Sequence, residues 1–233
     1  MVTVMPKPRR DSPITGMMAG WYARLTKRDM DEFRTLAERI ANQLPAGGDV
    51  LEVAFGPGYW AIELAKLGDF RIAGLDLSAD FVRIATRHAR QAGVAVDFYE
   101  GNAACMPFES DAFDFILCRA AFKNFADPLA AMNEMQRVLR PGGRALIIDL
   151  RSDASLADIR SHVNAMKLGV FNSAITKFIF KHTLLKRAYS QEEFERLARK
   201  SRFATCEIRR DAIGVEVWLT KQAGRAPGPS DPR

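Results

Sequence analysis

Gly56 and Gly58 in the run Val50-Leu51-Glu52-Val53-Ala54-Phe55-Gly56-Pro57-Gly58-Tyr59-Trp60 are residue types that let a backbone approach a polar ligand closely. Glycine accepts turn conformations at little steric cost. A turn running straight into a helix also aims amide N–H groups and the positive helix end at whatever binds there. Alone the pair is a weak signal, because any tight strand-to-helix turn can use glycine. Asp76 is an acid of the type that accepts hydrogen bonds from two ribose hydroxyls, although an aspartate before a helix also serves as a solvated cap. In Gly101-Asn102-Ala103 the Asn102 amide could meet an adenine edge or simply form a turn, and Cys118-Arg119-Ala120 ends an apolar run in a cation. If the fold brings these positions to one edge, they outline a nucleoside site.

The elements that would position them alternate. Val50–Val53 reads as a buried strand, and Ala61, Leu64 and Ala65 follow with helical spacing. Arg71–Leu75 is the next strand, ending at Asp76, and Ser78 caps a helix carrying Phe81, Val82, Ile84 and Ala85. Gly93 stops it. Val94–Tyr99, Phe113–Cys118 and Ala145–Leu150 read as further strands, with a helix started by Asp127-Pro128 and broken by Pro141-Gly142-Gly143 before the last of them. Ser190 and Glu193 form a capping box for a helix through Leu197, and strands near Ala204–Arg209 and Val215–Thr220 pair antiparallel across a short turn. Upstream, Asp31–Leu44 has one apolar face (Phe33, Leu36, Ala37, Ile40, Leu44), and the aromatic-rich stretch 14–27 is expected to pack on the domain. This rhythm predicts an α/β fold with a doubly wound, mostly parallel sheet.

Size and composition fit one globular domain of 233 residues with 48% hydrophobic side chains. The longest apolar runs are strand-length and too short for a membrane span. Residues 1–13 read as a disordered leader without an apolar signal-peptide segment, 14–222 as the domain, and 223–233 as a disordered tail. Three cysteines without ligand spacing argue for reduced thiols in a cytoplasmic protein and against a metal site. The net charge of +6 permits acidic partners but selects none.

On the ordered blocks Leu51–Gly58, Gly74-Leu75-Asp76-Leu77-Ser78, Asn102 through Pro107-Phe108, Phe113-Asp114-Phe115 and Arg137-Val138-Leu139-Arg140-Pro141-Gly142-Gly143, the chain resembles the class I S-adenosylmethionine-dependent methyltransferases. Within that class it looks like the branch of ubiquinone and menaquinone methyltransferases, over about Asp31 to Lys221. The resemblance implies a Rossmann-like sheet of seven strands with the last antiparallel, and a helical lid after the fifth strand at 151–188. It implies S-adenosyl-L-methionine as cofactor and S-adenosyl-L-homocysteine as product. By position, Glu52 would orient the glycine turn or meet the methionine portion, and Ala54, Phe55, Gly56 and Gly58 would line that portion. Asp76 would hold the ribose, Leu77 would lie beside the adenine, and Asn102 and Ala103 would sit at its edge. Arg119 and Ala120 would lie under the methyl region. The family commonly has glycine at position 54, so Ala54, with the bulky Phe55 beside it, is expected to tighten or shift the pocket.

Methyl transfer from a sulfonium is an in-line displacement that needs alignment and dryness more than a base. No base is evident. Candidate catalytic residues are Arg119, Asp149 and Arg151, with Lys123, His162, His182 and Tyr189 behind them. The 151–188 lid carries more cations (Arg151, Arg160, Lys167, Lys177, Lys181, Lys186, Arg187) than acids, as a solvated face or for an acidic or amphipathic substrate. Its apolar residues could form a substrate chamber or a homodimer contact. Trp21 and Tyr22 could fold over the cofactor as a flap, or pack in the core. The expected activity is methyl transfer to a small-molecule acceptor. The alternatives are an RNA or protein methyltransferase and a cofactor-binding accessory or sensor protein. No aromatic-basic module for nucleic acid is seen.

Overall fold

The computed structural model describes residues 12–155, 157–158 and 187–223. Seven strands form one sheet: β1 (Asp49–Val53), β2 (Arg71–Asp76), β3 (Asp97–Glu100), β4 (Phe113–Arg119), β5 (Leu139–Leu150), β6 (Glu207–Arg210) and β7 (Gly214–Thr220). Their spatial order is β3-β2-β1-β4-β5-β7-β6. β1 pairs in parallel with β2 and β4, β2 with β3, and β4 with β5, while β7 is antiparallel to both β5 and β6. The strand order reverses between β1 and β4, and a crevice at that switch point is where ligands of such sheets bind.

The central strands are apolar on both faces because helices cover both. Leu51, Ile116, Cys118 and Ile147 face a core shared with Met132 and Met135 of α5 (Pro128–Val138) and Phe194 of α6 (Gln191–Lys200). Their neighbours Val50, Phe115, Leu117 and Leu146 face the other core, built on α2 (Met30–Ala41) and α3 (Tyr59–Ala65). This alternation, imposed by the two-residue strand period, makes the fold doubly wound.

Local signals place most boundaries. Ser78 Oγ accepts the Phe81 amide to start α4 (Ala79–Ala92), Gly93 ends it at a φ of 69°, and Asp127 accepts the Ala130 amide to start α5. Ser190 and Glu193 complete a reciprocal capping box. At Pro141-Gly142-Gly143 the structure differs from expectation: β5 begins at Leu139 and runs through the excursion, as the register shifts between the Phe113–Leu139 and Phe115–Arg144 pairs. Gly142 adopts a φ of 83°, and β7's continuation holds the turn through the Gly142 amide to Lys221 O and the Lys221 amide to Gly143 O.

Stretch 14–27 contains α1 (Gly16–Thr26), which packs through one face only: Ala19 and Ala23 are buried, and Met17 and Trp21 point outward. Three bonds fasten it: Ser78 Oγ donates to Ile14 O (2.5 Å), the Gly16 amide to Asp80 Oδ2 (2.7 Å), and Tyr59 Oη to Ala23 O (2.9 Å). The leader up to residue 11, most of the lid with His162 and His182, and the tail from residue 224 lie outside the described residues. No helix among the described residues is long and apolar enough to cross a membrane.

Candidate functional site

Beyond the carboxyl ends of β1, β2 and β4 lies a cavity of about 600 Å³. The turn after β1 contributes Ala54 and Gly56, and the end of β2 contributes Asp76 and Leu77. The loop after β3 brings Asn102 and Ala103, and the end of β4 brings Arg119 and Ala120. From α1 comes Tyr22, whose ring meets Phe81 edge-on at 5.8 Å. Nine residues singled out in the sequence therefore share one wall.

Asp76 organises it. Oδ2 accepts the Gly56 amide at 2.9 Å and Oδ1 accepts the Ser78 amide at 2.9 Å, so one carboxylate ties the glycine turn of β1 to the start of α4. Burial raises its pKa, opposed by the amides of Gly56, Ser78 and Leu77. With amides fixing its orientation, the carboxylate presents the cavity with acceptor capacity only, which suits a vicinal diol.

The backbone bends sharply at two of these strand ends. Ala54 and Ala120 both take left-handed conformations, at φ of 58°, with the Ala54 amide on Leu75 O (2.6 Å) and the Ala120 amide on Ile148 O (2.7 Å). An L-residue there costs about 1–2 kcal/mol, and the neighbouring strands hold both in place. The turn also corrects the expectation for Phe55. Its ring lies off the cavity, buried 4.6 Å from the Phe98 ring in a small core with Phe81 and Ala85, so it does not narrow the pocket. Gly58, at φ of 77°, is likewise behind the wall, where a Cβ would come 2.7 Å from Ala85 Cβ and 2.9 Å from the Phe98 ring.

Glu52 does not line the cavity either. It is 4% exposed, its Oε2 accepts the Ala61 amide at 3.1 Å, and burial lifts its pKa to about 8. It therefore holds the start of α3 against β1 as a neutral acid near pH 7. Its raised pKa makes a stability prediction: the contribution is fully present below the unfolded-state value of 4.5 and is lost as pH rises through about 8. Glu52→Gln keeps an acceptor for Ala61 without an ionisable group. The stability of wild type relative to this variant should fall by roughly 3 kcal/mol between pH 5 and pH 8, read from urea unfolding. A difference flat with pH would mean that the carboxyl is already ionised in the fold.

Of the candidate catalytic side chains, Arg119 lines the cavity, bound to Glu32 at 2.9 Å and set 4.5 Å over the Phe33 ring. Asp149 lies behind it, joined to Lys123 Nζ at 2.7 Å and to the Lys123 amide at 2.9 Å, and Lys123 itself reaches the wall. Arg151 turns away to Asp153, Asp158 and the carbonyls of Asp211 and Ala212, where it braces the loops after β5 and before β7. Tyr189 is buried against Phe122 and Phe194. Sequence reasoning did not single out Ile14, Phe81, Asn124 and Phe125 as wall residues. Phe81 was legible only as an apolar helix position. Asn124 and Phe125 belong to the turn that follows β4, at the same sheet edge as Arg119.

Residues 50–143 match the profile of a methyltransferase domain family. Among curated proteins, the chain is 33% identical over 136 residues to a demethylmenaquinone methyltransferase of Deinococcus radiodurans, covering 58% of this chain and 51% of that protein. It is 34% identical over 121 residues to an uncharacterised methyltransferase of Bacillus subtilis, covering 51% and 47%. The chain thus spans about half the length of these relatives. Among solved structures, a proposed S-adenosylmethionine-dependent methyltransferase of Methanococcus maripaludis superposes with a TM-score of 0.73 at 22% identity, over 95% of this chain and all of that one. The sheet order with its single reversed strand is the fold of that solved neighbour, and residues 50–143, which carry the loops gathered at the switch point, are similar to the methyltransferase domain family.

Proposed function

We propose that this protein transfers a methyl group from S-adenosylmethionine to a small-molecule acceptor. The observation that carries the reading is the common wall of Asp76, Gly56, Asn102 and Arg119 around a cavity large enough for a nucleoside and a small acceptor together. The residues fit the cofactor chemically. Asp76 is an acceptor-only group for the ribose diol, and a Cβ on Gly56 would meet nothing nearer than Tyr22 Cε1 at 3.8 Å, so the turn leaves room. Leu77 and Phe81 offer apolar surface to the adenine, Asn102 its amide edge, and Arg119 a cation for a carboxylate. When bound, the cofactor supplies an electrophilic sulfonium methyl. Tyr22, Phe125 and Ile14 keep water from that region.

The names of the similar demethylmenaquinone methyltransferases favour a quinol-type acceptor whose ring carbon is the nucleophile. The test follows conversion to S-adenosylhomocysteine with reduced naphthoquinones, and with RNA and protein as competing acceptors. Turnover and a methylated naphthoquinol by mass spectrometry are expected. Methyl label entering RNA or protein instead would replace the small-molecule reading. Binding without turnover on any acceptor would favour an accessory or sensor protein.

A further inference from the structure

Helix α1 is fixed to the domain by its inner face, yet its outer face is apolar. Met17 is 92% exposed, Met18 59%, Trp21 50% and Leu25 41%. Spaced along the helix, these four form a single outward stripe, with Ile14 continuing it toward the cavity. Buried Ala19 and Ala23, with the bonds from Ser78, Asp80 and Tyr59, hold the opposite side down, so the stripe is displayed by a rigid element.

The surrounding charge selects the occupant. Residues 12–28 contain no acid, while Arg24, Lys27 and Arg28 cluster at the carboxyl end of the stripe, with Arg24 and Arg28 on its side of the helix. The carboxylates nearest the helix are Asp80, which accepts the Gly16 amide at its start and pairs with Arg83, and Asp29, Asp31 and Glu32 after its end, of which Asp31 pairs with Arg34 and Glu32 with Arg119. Met, Trp and Leu on one helical face with Arg and Lys at its edge are the composition of an interfacial helix: the apolar side chains enter the headgroup–acyl boundary and long cations reach back to phosphate.

We propose that α1 docks this protein on an anionic lipid surface. The match is to a bilayer bearing negative headgroups, because a neutral apolar groove would leave the three cations without a role. Docking needs no methyl transfer. Where the proposed function also holds, the same helix carries Tyr22 on the cavity wall, with Ile14 just ahead of it, so the site would stand beside the bilayer, within reach of a lipid-borne acceptor.

Tryptophan emission reads the contact directly, since Trp60 and Trp218 are 0% and 5% exposed and Trp21 is the exposed one of the three. The full chain is titrated with vesicles of phosphatidylcholine containing phosphatidylglycerol, and with phosphatidylcholine alone, at low and high salt. A blue shift and co-flotation are expected with the anionic vesicles and should weaken with salt. Met17→Ser/Trp21→Ser/Leu25→Ser should reduce flotation by roughly tenfold or more. Each of Arg24→Gln, Lys27→Gln and Arg28→Gln should reduce it by about fivefold. Circular dichroism melts check that the variants are folded, and Trp21→Ser alone is the milder version. Unshifted emission without flotation would overturn the proposal, as would flotation that the apolar triple variant leaves intact. Sedimentation showing a dimer that this variant dissolves, with no vesicle binding, would also overturn it by making the stripe a contact between copies of the chain.

Discussion

Asp76→Ala should weaken binding of S-adenosylhomocysteine by about 100-fold, measured by calorimetric titration. Hydrogen bonds to an ionised group contribute about 1.5–3 kcal/mol each, and a carboxylate facing a ribose diol makes two. Loss of about 3 kcal/mol is therefore a conservative expectation. The same substitution leaves the Gly56 and Ser78 amides without the acceptor they have at 2.9 Å, so the fold should also lose stability, by about 1–3 kcal/mol. Asp76→Asn separates the two effects. Its side-chain oxygen can keep one amide, and its NH2 presents a donor where the diol needs an acceptor. Stability should recover in part while affinity stays low. Affinity near that of wild type in both folded variants would mean that Asp76 only ties the turn together and that the ribose lies elsewhere.

The second large effect is expected at the carboxyl ends of β4 and β5. Lys123 and Asp149 side chains are 8% and 1% exposed, with Nζ 2.7 Å from Oδ1. Lys123 Nζ also donates to Ala120 O (2.6 Å), and Asp149 takes the Lys123 and Leu150 amides. The pair thereby holds the left-handed Ala120 turn, one wall of the cavity. Taking away either partner strands a buried charge, so Lys123→Met or Asp149→Leu should each cost about 3–5 kcal/mol in urea unfolding. The double variant should cost far less than the sum, because apolar side chains replace the two charges together. An additive double-mutant cycle would show that the ion pair contributes nothing beyond its separate contacts.

Much of this geometry was legible because it is local. The strands at Val50, Arg71 and Phe113 announced themselves as short apolar runs, Ser78, Asp127 and Ser190 as helix starts, and the final strand pair by its short turn. Asp76, Asn102 and Arg119 are polar types at strand ends, and the sheet order brings them to one edge. Less local features escaped. The Pro141-Gly142-Gly143 segment reads as a break, yet pairing with Lys221 from the far end of the chain keeps it within β5. Phe55 reads as an obstruction in the pocket, yet consecutive turns at Ala54 and Gly56 direct its ring into the Phe98 contact. Glu52 reads as orienting the glycine turn or meeting the methionine portion, and its partner is the Ala61 amide at the start of α3, just past that turn.

By itself, then, the sequence determined the alternation of strands and helices, the capped helix starts, and which polar residues stand at strand ends, since these follow from side-chain periodicity and turn chemistry within a few residues. Only the tertiary structure decided which of those residues meet across the cavity, which are consumed in holding turns, as Glu52, Asp149 and Arg151 are, and which face of α1 remains outside. Those outcomes depend on partners distant along the chain, such as Gly56 with Asp76, Lys123 with Asp149 and Ala23 with Tyr59, which only the order and register of the strands bring together.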